Sequence, residues 1–327
     1  MTTRVAINGF GRIGRAFYKL ASSRPEIEVV AVNDLGDLEN LEYLLKHDSV
    51  YGMWDGNFKA KFLQEKDPAK LPWKDLNIDI VVESSGAFES YEKASAHIKA
   101  GAKRVVITAP AKDEDNAEHK TVLMGVNEGD LKVCVMTSNG SCTTNSASPV
   151  MEILNEKIGI KKAFLNTVHG YTATQSLTDS PAKGSDMRRG RAAAINIVPS
   201  TTGAAVAVGR AVHELLGRFD GVAMRVPVST GSLSAIVFLA GKETTPEEIN
   251  KILEEAAKEP RWQGIFTTTH EQIVSTDIIG NPHAAIADLS LTHVTAGDLC
   301  AVYSWYDNEM GYTNSLMQHV VKLGATI

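Results

Sequence analysis

The chain has 327 residues, of which 43% are hydrophobic and 22% charged, with a net charge of −6. That length exceeds one ordinary core and fits two domains, while the acidic balance offers no whole-molecule attraction to nucleic acid or anionic membranes. No run approaches the ~18 apolar residues of a membrane helix. Three cysteines without a Cys-x-x-Cys pair, and no visible secretory leader, predict a reducing, cytoplasmic setting.

Arg4–Asn8 reads as a short apolar strand, followed by Gly9-Phe10-Gly11-Arg12-Ile13-Gly14 and a helix through Leu20. Glu28–Val32 is a second strand ending at Asn33-Asp34. Ile78–Glu83 and Arg104–Thr108 are further apolar strands, with a helix from Glu89 to Ala100 between them that stops at Gly101. Buried strands alternating with helices predict parallel pairing through right-handed crossovers. The texture changes near Cys142. A helix is predicted from about Ser146 to Lys157, then a strand over Ala163–Val168 and a long polar, basic loop from Tyr171 to Ala194. Gly221–Val228 and Ser232–Leu239 look like paired strands of an antiparallel sheet. Thr245 can cap a helix with Pro246 at its first position, and 312–324 is a terminal helix. The predicted class is α/β: a Rossmann-type doubly wound parallel sheet plus an α+β domain with a mostly antiparallel sheet.

Cys142 stands among hydroxyls and an Asn in Ser138-Asn139-Gly140-Ser141-Cys142-Thr143-Thr144-Asn145, and His169 follows downstream. A free thiol, at pKa ~8.5, is mostly protonated at neutral pH, and the thiolate is the nucleophile. A neighbouring imidazole can hold a thiolate–imidazolium pair, and a helix beginning after Cys142 would favour the anion further. Gly9-x-Gly11-x-x-Gly14 lies between a strand and a helix, where glycines allow a tight turn and close approach of a pyrophosphate. Asp34 ends the second strand 20 positions after Gly14, placed for adenosine ribose hydroxyls and repulsive to a 2′-phosphate. Together these features point to an aldehyde dehydrogenase acting through a thioester. Arg188, Arg189 and Arg191, in a Gly/Ser-rich loop followed by Thr201-Thr202-Gly203, suit phosphate capture. Arg225, between apolar neighbours on a strand, needs an anion. Cys134 and Cys300 read as buried packing residues, and no His spacing indicates a metal site.

The segments INGFGRIGR, KHDSVYG, VVESSGAF, AGAKRVVITAPAK, SCTTN, HGYTATQ, MRRGRAAAINIVPSTTGAA, RVPV and WYDNEMGY, in that order, resemble phosphorylating glyceraldehyde-3-phosphate dehydrogenases. The resemblance implies an NAD-binding domain over 1–141 and 308–327 and a catalytic domain over 142–307. It implies Cys142 as nucleophile and His169 as base. Thr172, Thr174 and Arg225 would hold the substrate's C3 phosphate, while Ser141, Thr143, Thr202, Gly203 and Arg189 would hold the attacking inorganic phosphate. Phe10, Gly11, Arg12, Ile13, Gly14, Asp34, Lys66, Ser85, Gly86 and Thr108 would lie along NAD, and Asn308 would orient its nicotinamide. The implied reaction converts glyceraldehyde 3-phosphate to 1,3-bisphosphoglycerate within a homotetramer.

Some positions depart from the family's common pattern. Gly140 and Gly170 replace other small residues, Ser146 replaces a frequent second Cys, and Met53–Lys66 is shortened. Ser180 replaces a Leu common in NAD-specific members, which leaves room for NADP as a second cofactor. The alternatives are an erythrose-4-phosphate dehydrogenase, a semialdehyde dehydrogenase or acyl-phosphate reductase, and an RNA-holding protein with a vestigial site. The intact HGYTATQ and TTGAA segments argue against the first, and the acidic charge and intact Cys/His pair argue against the last.

Overall fold

Seven parallel strands form the sheet of the N-terminal unit in the computed structural model, which describes residues 2–182 and 185–327. Residues 183–184 of the predicted basic loop, and Met1, lie outside the described residues. The elements are β1 (Thr3–Asn8), α1 (Arg12–Ala21), β2 (Ile27–Asn33), α2 (Leu38–Lys46), a small hairpin of β3 (His47–Asp48) and β4 (Gly52–Met53), β5 (Lys61–Leu63), β6 (Ile80–Glu83), α3 (Tyr91–Lys99), β7 (Arg104–Ile107), β8 (His119–Thr121) and β9 (Met136–Ser138). The sheet order is β5-β2-β1-β6-β7-β9-β8. Val5, Ile7, Val81, Val82, Val105 and Val106 are all fully buried, as expected of strands covered on both faces. The order in which strands are added reverses at β1, with β2 and β5 on one side and β6 and β7 on the other, so the carboxyl ends of the parallel β1 and β6 form the switch-point crevice where such sheets bind ligands.

Local chemistry sets the helix ends. Ser90 caps α3 by accepting from the Lys93 N–H, and Gly101 beyond its end adopts φ +105°, a conformation only glycine takes readily.

The chain divides into two units, Met1–Ser141 with Thr313–Ile327, and Cys142–Tyr312. Residues 308–312, expected with the N-terminal domain, lie within the second unit. The second unit contains α4 (Cys142–Ile158), β10 (Ile160–Gly170), β11 (Val198–Thr201), α5 (Ala204–Ala211), β12 (Phe219–Val226), β13 (Ser232–Ala240), α6 (Pro246–Ala256), β14 (Phe266–Thr269), β15 (Ala285–Asp288), β16 (His293–Thr295) and β17 (Leu299–Tyr306); α7 (Met310–Gly324) runs on into the first. Its eight-stranded sheet follows β11-β12-β10-β13-β17-β15-β14, with β16 also on β17, and is mixed but mostly antiparallel.

Two expectations are corrected here. The strands over Gly221–Val228 and Ser232–Leu239 are not paired: β10 lies between them, parallel to β12 and antiparallel to β13. Short connections favour hairpins, but inserting β10 buries it on both edges. The helix predicted from Ser146 starts at Cys142. Its first residues are weak helix formers and Pro149 sits inside it; burial of Thr143 through Met151 outweighs those preferences. Thr245 does cap α6, accepting from the Glu248 N–H with Pro246 next. Among the described residues no helix is long and apolar enough to cross a membrane.

Candidate active site

A cleft of about 430 Å³ opens at the switch point of the first sheet, lined by Asn8, Gly9, Gly11, Asn33, Asp34, Lys66 and Ser85 among others. Gly9 has φ +97°, and a side chain there would strike the Ser85 backbone; one at Gly14 would strike the Gly9 carbonyl. Gly11 has open space before it, so the turn is closed behind and bare towards the cleft. Asp34 accepts from the Phe10 N–H at 2.6 Å and the Gly36 N–H at 2.8 Å. This cradle fits a dinucleotide: bare backbone at a helix start for a pyrophosphate and a carboxylate at the ribose position.

The other residues expected along the cofactor are distributed around that turn. Phe10 contributes its backbone, because its ring is buried edge-on against Tyr18 and Phe58. Arg12 pairs with Asp48 at 2.8 Å, and Ile13 is half-buried in the first turn of α1. Gly86 takes φ +72° beside Ser85, and Thr108 Oγ1 donates to the Glu83 carbonyl at 3.0 Å.

A buried network that sequence reasoning missed supports the cleft from below. Glu83, almost fully buried, accepts on one oxygen from Asn8 Nδ2 and His97 Nε2, and on the other from the Ser85 N–H and Oγ. Trp73 Nε1 donates to His97 Nδ1 at 3.0 Å, which fixes the His97 proton on Nε2, facing the carboxylate. Asn33 extends the network by donating to Asn8 Oδ1 at 2.7 Å.

In the second unit, Cys142 opens α4 and its Sγ lies 3.3 Å from His169 Nε2. His169 stands near the end of β10, directly opposite Arg225 in the β10–β12 register. Arg225 Nη1 lies 2.6 Å from His169 Nδ1 and 3.2 Å from Gly170 O. Burial, then the Arg225 charge, pushes the imidazole pKa down to about 3. Burial pushes the Cys142 thiol up, while Arg225 and hydrogen bonds from Thr143 pull it down. In these surroundings burial, and then the Arg225 cation against the far nitrogen, favour a neutral imidazole over the imidazolium of the expected pair.

Thr172 and Thr174 share a hydroxyl contact of 2.9 Å, and Arg189 Nη1 reaches Thr174 Oγ1 at 3.4 Å. Arg189 is also close enough to Arg225 to oppose its charge. Two guanidiniums and two hydroxyls thus make a site for an anion. Thr202 and Gly203 stand at the start of α5, where Thr202 Oγ1 accepts from the Ala204 N–H. Ser141 immediately precedes α4. Thr143, expected at the inorganic phosphate, is buried with its hydroxyl 2.9 Å from Tyr306 Oη. Asn308 Oδ1 accepts from the Gly231 N–H and Ser232 Oγ, which turns its amide NH₂ the opposite way. Tyr306 is a further site residue whose only sequence signal is a polar aromatic ending an alternating strand.

A family model described as glyceraldehyde 3-phosphate dehydrogenase, NAD binding domain, matches residues 3–91. A second, described as the C-terminal domain of the same enzyme, matches residues 141–308. The chain is 49% identical to the glyceraldehyde-3-phosphate dehydrogenase of Thermotoga maritima over 96% of this chain and 97% of that protein. Identity to glyceraldehyde-3-phosphate dehydrogenase 1 of Streptomyces avermitilis is 44% over the whole of both chains. For the Clostridium pasteurianum enzyme it is 43% over 97% of each.

Proposed function

This chain belongs to the glyceraldehyde-3-phosphate dehydrogenase family, and from that premise we propose how its residues divide the reaction. The enzyme oxidises glyceraldehyde 3-phosphate with NAD and inorganic phosphate to 1,3-bisphosphoglycerate. The N-terminal unit holds the dinucleotide along Gly9–Gly14, with Asp34 at the ribose, and Cys142–Tyr312 carries the chemistry. When bound, NAD supplies the hydride acceptor.

Cys142 adds to the aldehyde as a thiolate, and the hemithioacetal oxygen is stabilised by His169 and backbone N–H groups. His169 takes the hydroxyl proton as hydride departs, leaving a thioester on Cys142. Thr172, Thr174 and Arg225 hold the C3 phosphate. Ser141, Thr143, Thr202, Gly203 and Arg189 serve the attacking phosphate, which cleaves the thioester to an acyl phosphate. The 3.3 Å approach of Cys142 Sγ to His169 Nε2 carries this reading. Its test is Cys142→Ser, since serine is a far weaker nucleophile and its ester a poorer acyl donor. NADH formation should fall by at least ~1,000-fold while NAD still binds; wild-type kcat in this variant would overturn the assignment.

We further propose a cytoplasmic homotetramer. Support comes from exposed apolar side chains on one face of the second sheet, Phe164 and Val237 paired across β10 and β13 with Leu299 nearby, a patch that soluble monomers seldom leave bare. Light scattering on the purified protein checks the assembly.

A further inference from the structure

His169 Nδ1 has two neighbours at one distance, Gly170 O at 2.6 Å and Arg225 Nη1 at 2.6 Å. The two make opposite demands. A carbonyl oxygen needs a proton on Nδ1, whereas a guanidinium, which only donates, needs the Nδ1 lone pair. A neutral ring can meet one demand at a time, and the choice decides what the other nitrogen offers Cys142. With Arg225 donating, Nε2 carries the proton and points it at Sγ. With Gly170 accepting, Nε2 presents a lone pair and can act as a base. The register opposition of His169 and Arg225 builds this competition into the sheet. In the first arrangement Gly170 O still has a donor, because Arg225 Nη1 lies 3.2 Å from it.

Resting on the assignment of Arg225 to the substrate phosphate, we propose that Arg225 is a positioning residue that selects the His169 tautomer. The phosphate of the bound aldehyde draws the guanidinium away. Nδ1 gains a proton from water and donates it in a hydrogen bond to Gly170 O, and Nε2 gives its own proton up to water, so that Nε2 becomes a base only when a phosphorylated substrate is present. A dianion bound at Arg225 also offsets the repulsion that guanidinium feels from the Arg189 charge. The proton moves from Sγ to Nε2, giving a thiolate and an imidazolium that donates from Nδ1 to Gly170 O. As sulfur bonds to the carbonyl carbon, that proton passes to the carbonyl oxygen. It returns to Nε2 when the C–H bond breaks and hydride goes to NAD. Discrimination against aldehydes lacking phosphate thus resides in the base as well as in binding.

Histidine-¹⁵N-labelled protein tests this by side-chain ¹H–¹⁵N correlation spectra, with His169 assigned by its loss in His169→Gln. Without additions, the proton should be on Nε2. Saturating glycerol 3-phosphate, which carries the phosphate but no aldehyde, should move it to Nδ1, and glycerol should not. In single turnover, the NADH burst from unphosphorylated glyceraldehyde should rise about tenfold or more with saturating inorganic phosphite, within what a positioned base contributes. In Arg225→Gln the Nδ1–H tautomer should appear with nothing added; the wild-type measurements stand whether or not that variant folds. An unchanged His169 tautomer with glycerol 3-phosphate bound, or a burst indifferent to phosphite, overturns the switch while normal turnover of glyceraldehyde 3-phosphate leaves the proposed function standing. Absence of any NADH from glyceraldehyde 3-phosphate would instead sink the function itself.

Discussion

Thr143 and Thr167 are bridged by one phenol: Tyr306 Oη lies 2.9 Å from the first hydroxyl and 2.8 Å from the second. Thr143 follows Cys142 on α4, and Thr167 precedes His169 by two positions on β10, on the same face of the strand. The end of β17 therefore ties the start of the thiol-bearing helix to the imidazole-bearing strand, and its ring stands edge-on to His169 at 5.9 Å. Removing the phenol should loosen the Cys142–His169 spacing. Tyr306→Phe is expected to cost roughly 1–3 kcal/mol of stability, from two buried hydroxyls losing a partner. It should lower kcat/KM about tenfold, with NAD affinity unchanged. Unaltered kcat/KM would show that the bridge does not set the spacing.

The network under the cleft predicts a different failure. Glu83 receives four donors, and Glu83→Gln turns one accepting oxygen into an NH₂ facing N–H groups. Ser85 should then lose its anchor. NAD affinity, measured by fluorescence titration, should fall about tenfold, the equivalent of ~1.4 kcal/mol, while the rate of Cys142 alkylation stays as in wild type. A variant that binds NAD normally would assign Glu83 to folding alone.

Asp34 argues for cofactor preference. Its carboxylate is pinned by the Phe10 and Gly36 N–H groups at the edge of the cleft, so a 2′-phosphate would meet a fixed negative charge. We expect NAD to be preferred over NADP by at least ~tenfold in kcat/KM, since one charge at partly solvated range is worth on the order of 1–4 kcal/mol. Asp34→Asn should shrink that ratio. A wild-type value for NADP equal to that for NAD would refute the preference and give weight to the small Ser180.

Buried histidines should govern acid stability. His169 and His319 are both lowered to about 3 by burial. Below their ordinary value of 6.5 the unfolded chain binds protons that the folded chain refuses. Stability is therefore lost as pH falls from about 6.5, at ~1.4 kcal/mol per unit for each. Glu152, raised to about 7 by burial and then by Glu156, works the other way. The folded form keeps its proton between pH 7 and 4.5, which opposes one histidine in that window. The loss should thus be shallow from pH 6.5 to 4.5 and steeper below. Calorimetric Tm values that stay level down to pH 4 would contradict the assignment.

Much of the architecture was legible because it is written in short-range pattern. The apolar runs at β1, β6 and β7, the cap pair Thr245-Pro246 and the turn at Gly9–Gly14 each depend on residues within a few positions of one another. The Cys142 and His169 segments were legible as residue types suited to nucleophilic chemistry. Their electrostatic state was not, because the cation beside His169 comes from a strand 56 residues away. The network of Glu83 escaped for the same reason: Asn8 lies 75 residues from its carboxylate partner, and nothing local to either marks the other.

Sequence alone determined which segments alternate as strands and helices, where the glycines must turn, and which side chains could do covalent chemistry. Tertiary structure decided that β10 enters between β12 and β13, that α4 begins on the thiol itself, and that Tyr306 and Arg225 converge on His169. The reason is physical. Turn and helix preferences are energies of neighbouring residues, whereas strand order and register are set by burying whole faces against distant segments. The entropy of closing a long loop rises only slowly with its length, so a contact spanning 163 residues, as between Thr143 and Tyr306, leaves no trace in the local pattern.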